Sequence, residues 1–100
     1  MELKLIIDGK EKLFKTGFIP GMIFRRALEL NKRIDFSNMQ AEDLDEIVQL
    51  TVELYGNEFS FDEFYKGIPL NELLPTLTNV MTFISNGGVE LEKEELGKSE

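Results

Sequence analysis

Asp43, Asp45 and Glu46 form a carboxylate cluster that could bind a divalent cation, and with Glu42 they load the start of one segment with negative charge. Hard divalent cations take oxygen ligands, so the cluster raises a calcium or magnesium site. A calcium loop needs ligands alternating along a loop with a central glycine, whereas these residues open a segment of strong helical spacing. There the carboxylates suit the positive end of the helix dipole, and a solvated face is the reading that follows. No His and no Cys occur, so the commonest general base, the thiolate nucleophile and zinc–sulfur ligation are all missing. No carboxylate pair lies beside a visible nucleophile. Gly17-Phe18-Ile19-Pro20-Gly21 lacks the spacing of a phosphate loop and has no Lys-Ser/Thr after it. No catalytic, cofactor-binding or metal residue is therefore expected.

Aromatic density is the other chemical feature. Phe59, Phe61, Phe64 and Tyr65 fall within seven positions. Such a cluster is either core or the lining of a partner groove. It is the first candidate for a partner surface. The second is Phe83, which lies off the main stripe of the last helical segment.

Charge is segregated. Residues 1–33 carry eight basic and four acidic side chains, +4, while residues 34–100 carry three basic and fifteen acidic, −12, giving the net −8. The two segments either face each other inside one fold or are merely solvated, or else they meet across copies. In the last case Arg25 and Arg26 are the self-association candidates, through head-to-tail contacts that build rings or filaments instead of closed twofold dimers. Nucleic-acid binding is not expected, because an anionic chain repels phosphate and its basic residues are not interleaved with stacking aromatics. No run approaches the roughly 20 apolar residues of a membrane span, and no leader pattern opens the chain, so a cytoplasmic protein without membrane contact is expected.

These residues need a frame, and 100 residues suffice for a single modest core. Alternation over Glu2–Lys15 around Asp8-Gly9 predicts a β-hairpin, which must lie on helices because two strands alone are marginal. Pro20 opens a helix through Leu30 with Phe24, Ala27 and Leu28 as its apolar stripe and Ile23 as a further candidate for it. Asn31 to Asn38 is a polar connector anchored by Ile34 and Phe36. Ala41–Tyr55 is a helix stopped by Gly56-Asn57. Ser60-Phe61-Asp62-Glu63 is a capping box that opens a short helix, with Gly67 as its stop. Pro69–Ser85 is the last helix, with a tight first turn or a kink at Pro75. Gly87-Gly88 ends the domain. Residues 1–88 thus form one α+β domain, mostly helical, with the hairpin packed on the helices. Residues 89–100 form an acidic, mobile tail, or a short frayed helix over Glu90–Leu96. The expected core is Leu5, Ile7, Phe24, Leu28, Leu44, Ile47, Val48, Leu54, Leu74, Leu77 and Met81.

Taken in order, six phrases carry a resemblance. They are Leu3-Lys4-Leu5-Ile6-Ile7-Asp8-Gly9-Lys10, Arg25-Arg26-Ala27-Leu28-Glu29-Leu30 and Leu44-Asp45-Glu46-Ile47-Val48. Leu54-Tyr55-Gly56-Asn57-Glu58-Phe59-Ser60, Phe64-Tyr65-Lys66-Gly67 and Asn71-Glu72-Leu73-Leu74-Pro75-Thr76 complete the set. Together they resemble the tail assembly chaperones of long-tailed bacteriophages and prophages of Gram-positive hosts. The resemblance implies a non-catalytic protein that coats the tape measure protein, helps deliver the major tail protein, and is absent from the finished virion; homo-oligomers are expected from the hairpin edge and the charge segregation. It also implies that this chain is the short product of a programmed frameshift. The competing reading is an acidic adaptor or inhibitor that mimics nucleic acid, and an enzyme comes third.

Overall fold

Asp8 and Gly9 both adopt left-handed backbone, with φ of 55° and 76°. That pair of angles closes a two-residue turn between β1 (Glu2–Ile7) and β2 (Lys10–Lys15), which run antiparallel with Glu2 opposite Lys15 and Ile7 opposite Lys10. A computed structural model of the chain describes residues 1–88; the expected acidic tail, 89–100, lies outside the described residues. Four helices follow the hairpin: α1 (Met22–Arg33), α2 (Ala41–Leu54), α3 (Phe61–Gly67) and α4 (Leu70–Ser85). The architecture is α+β, with Leu3 and Leu5 of β1 turned into the helical core. None of the helices in the described residues is long and apolar enough to cross a membrane.

The start of α3 and the ends of α2 and α4 have local causes. Ser60 Oγ accepts the Glu63 N–H at 3.0 Å, and Glu63 Oε1 accepts the Ser60 N–H at 2.9 Å, so the capping box of α3 is closed on both sides. Ser60→Ala is expected to cost about 1 kcal/mol, read as a lower urea midpoint at unchanged slope. α2 and α4 share one stop. Gly56 N–H bonds the Glu53 carbonyl and Asn57 N–H the Val52 carbonyl, as Gly87 and Gly88 do to Ile84 and Phe83. All four stop residues have positive φ. In α4, Pro75 cannot donate to the Asn71 carbonyl, and the first turn is tight, with Glu72 N–H bonded to the Pro69 carbonyl at 2.9 Å.

α1 differs from the expectation in two ways. It runs three residues further, to Arg33, because Lys32 and Arg33 suit the negative end of its dipole and the Ile34 N–H closes on the Leu30 carbonyl. Its buried stripe is Ile23, Ala27 and Leu30, continued by Ile34; Phe24 and Leu28 are 42% and 52% exposed. Both sets keep helical spacing about 100° apart, and packing on α2 and α4 selects the first. Leu74, also expected in the core, is exposed, as is Phe36 in the connector. Leu5, Ile47, Val48, Leu54, Leu77 and Met81 are buried as expected, while Ile7 and Leu44 are partly buried against the core.

Gly67 is the last residue of α3, but it does not stop the helix through a left-handed backbone. It sits on β1, where an added Cβ would lie 2.7 Å from the Ile6 carbonyl oxygen and 3.1 Å from the Ile6 nitrogen. Helix and strand meet backbone to backbone there.

Candidate functional site

The aromatic cluster forms a wall between hairpin and helices. Phe59 packs edge-on against Phe14 of β2, with ring centres 4.9 Å apart, and lies 5.6 Å from Tyr55 and 6.1 Å from Phe64. Phe59 and Phe64 are buried, which removes them as exposed contacts: the ring of each is needed to fill the space between β2, α2 and α3. Phe61 and Tyr65, one helical turn apart and 5.0 Å between centres, keep partial exposure at the rim. The Tyr65 hydroxyl donates to Asp45 Oδ1 at 2.7 Å. Partial burial first, then that hydrogen bond, holds the phenol protonated far above its ordinary range, so it is no acid or base near neutral pH. A shallow depression of about 460 Å3 lies beside Phe59 and Phe61.

Phe83 is buried as well, contrary to its expected place on the outer side of α4. α4 meets both α1 and α2, so its apolar arc is wide enough to take Phe83 in beside Val80 and Ile84. Its ring instead lines a second, mostly apolar groove of about 280 Å3 with Ile19, Pro20, Phe24, Leu54 and Ile84. The surface around this groove is apolar too. Phe18, between groove residues Gly17 and Ile19, is 89% exposed, and Met22 is 57% exposed. Sequence reasoning missed Phe18 because a residue between Gly17 and Pro20 belongs to no periodic face. Its one signal was a large aromatic in a loop bracketed by glycines.

The charged candidates are largely engaged within the chain. Arg26 pairs with Glu53 of α2, Arg33 with Glu46 at 2.7 Å, and Arg25 with Glu29 one turn along α1 at 3.3 Å. The basic and acidic segments therefore do face each other across α1 and α2. The Glu46 carboxylate raises the Arg33 guanidinium further above its already high value. The acidic cluster is divided among separate partners: Asp43 accepts the Gln40 N–H at 3.0 Å, Asp45 takes the Tyr65 hydroxyl, and Glu46 holds Arg33. Near the start of α2, Asp35 is held below the usual carboxylate range by the Ser37 hydroxyl and N–H. Among the described residues no three carboxylates converge as a cation site requires.

What remains is apolar surface and shallow grooves, the kind of surface that holds a partner. A family model described as phage tail chaperone protein matches residues 1–100. No curated protein and no solved structure matches the chain.

Proposed function

The chain belongs to the phage tail chaperone family, and from that premise we propose that it binds the tape measure protein. In this reading it acts without catalysis in the host cytoplasm, hands on the major tail protein during tube assembly, and is left out of the virion. One observation supports the client surface: the apolar groove walled by Phe83 and Ile84 opens beside exposed Phe18, Met22 and Phe24. An apolar patch of this kind on a small domain is suited to shielding the apolar side of a client helix. Phe61 and Tyr65 supply a second, smaller contact, with Tyr65 packed on buried Phe64, which in turn rests on Phe59.

A long client is covered by many weak contacts, and multivalency then supplies avidity that no single groove provides. Copies would meet through the basic face of α1. Arg25 is the member free to exchange partners, because its pair with Glu29 is exposed and such pairs are weak. Arg26, half-buried against Glu53, positions α1 on α2. The competing adaptor reading needs a continuous carboxylate face, and Asp45, Glu46 and Glu53 are instead tied to side chains of the same chain.

Co-purification tests the groove. Tagged wild type is expected to retain the tape measure protein, and Phe18→Ser with Phe24→Ser to retain at least about ten-fold less, at unchanged circular dichroism. Equal retention by the variant would remove the groove from the account.

A further inference from the structure

The Thr16 N–H donates to the Met1 carbonyl at 3.1 Å. In an antiparallel ladder hydrogen-bonded pairs alternate with non-bonded ones, so this bond fixes the parity of the whole hairpin. With Met1 opposite Thr16, the bonded pairs are Leu3 with Phe14, Leu5 with Lys12 and Ile7 with Lys10. The intervening residues point their backbone groups outward. On β1 that outer edge is covered at Ile6 by Gly67 of α3. On β2 it is formed by Glu11, Leu13 and Lys15, and among the described residues no third strand meets it.

An uncovered edge is a template for another strand. The sequence of this one selects the strand. In a twofold antiparallel pairing centred on Leu13, Leu13 faces Leu13 of the second copy, Glu11 faces Lys15, and Lys15 faces Glu11. Lys12 falls opposite Phe14 and Lys10 opposite Thr16, so no two lysines meet. Centring instead on Glu11, Lys12 or Lys15 sets like charges face to face. Centring on Phe14 forms no ion pair. Leu13 is 51% exposed and would cover its counterpart. Glu2, already 3.6 Å from Lys15, would extend the row to Glu2–Lys15–Glu11 across the copies.

We infer that the β2 edge is a self-association surface, taking a second copy of this chain in the register centred on Leu13 to form a four-stranded sheet. The edge offers about six backbone hydrogen bonds, at the weak end of specific interfaces. Weak pairing suits copies that must gather on a client and leave it. It is separate from the contact at Arg25, and together the two would link twofold pairs into longer arrays.

The test reverses one charge at a time. Glu11→Lys sets two lysines face to face at both ends of the paired strands, and Lys15→Glu sets two glutamates face to face at the same places. Each variant alone is expected to dimerise about ten-fold more weakly than wild type in sedimentation equilibrium. When the two are mixed, each lysine of the first meets a glutamate of the second at both ends, and the mixture is expected to recover wild-type affinity. Should Lys15→Glu fail to fold, Leu13→Cys replaces it. The natural chain has no Cys, so a disulfide-linked dimer of Leu13→Cys, with none from Lys10→Cys, reports the same register. A wild type that stays monomeric at millimolar concentration overturns the inference. So does a mixture no tighter than its components, or loss of client binding in Glu11→Lys without any change in self-association, which would assign the edge to a client strand. Client binding by a strictly monomeric chain would leave the chaperone reading intact, so the two failures are distinguishable.

Discussion

Phe64→Ala is expected to lower the stability of this domain by about 3–5 kcal/mol. Phe64 has no exposed surface, and its ring stands 6.1 Å from the centres of both Phe59 and Tyr65. Truncation removes the transfer free energy of the ring and leaves a cavity that cannot collapse, because Phe59 is held from its other side by Phe14 and Tyr55. Domains of this size have about 5–15 kcal/mol in total, so the variant should sit near its unfolding midpoint in mild urea. Phe61→Ala, at the partly exposed rim, should cost less than half as much. Urea titrations followed by circular dichroism measure both; equal losses at the two positions would contradict the assigned core.

Gly67→Ala has the second largest expected effect, and its sign is the informative part. Alanine is the better helix former by about 1 kcal/mol, and Gly67 is the last residue of α3 with no positive φ to protect. Against that, the new Cβ would lie 2.7 Å from the Ile6 carbonyl oxygen and 3.2 Å from Leu5 Cβ. Backbone atoms cannot rotate aside, so helix and strand must separate, at a cost of about 1–3 kcal/mol for overpacking. The short α3 has its C-terminal position in contact with β1, and the propensity gain is largest in helix interiors, so the clash should prevail. A net loss of about 1–2 kcal/mol is expected. Gly17→Ala, where nothing lies within 4 Å of the added atom, should be neutral or slightly stabilising. A stabilised Gly67→Ala would mean that α3 does not rest on β1 as described.

Features fixed by neighbouring residues were legible in the sequence. Asp8-Gly9 specified the hairpin, Ser60 and Glu63 the start of α3, and Gly56-Asn57 and Gly87-Gly88 the ends of α2 and α4, because each acts through bonds to residues close by in the chain. What depended on distant partners was not legible. Ile23-Ala27-Leu30 and Phe24-Leu28 are equally good helical stripes, and only the placement of α2 and α4 decides between them. Gly67 read as a stop because glycine commonly ends helices; the backbone of Ile6, at the other end of the chain, is the actual reason for it. The aromatic cluster divided by position into buried Phe59 and Phe64 and rim residues Phe61 and Tyr65, with Phe59 closed off by Phe14 from the distant hairpin. Phe83 went inward, against its place off the main stripe of α4, while Phe18, on no periodic face, went outward.

The central claim is that this domain keeps a tail client soluble, and the most direct measurement is the soluble fraction of the tape measure protein. The tape measure protein of the same phage should be expressed alone, with wild type, and with the Phe18→Ser and Phe24→Ser double variant. The account predicts a client that is mostly insoluble alone, soluble with wild type at comparable expression, and largely insoluble again with the double variant. A tape measure protein that is equally soluble in all three, and never co-purifies with this chain, would contradict it.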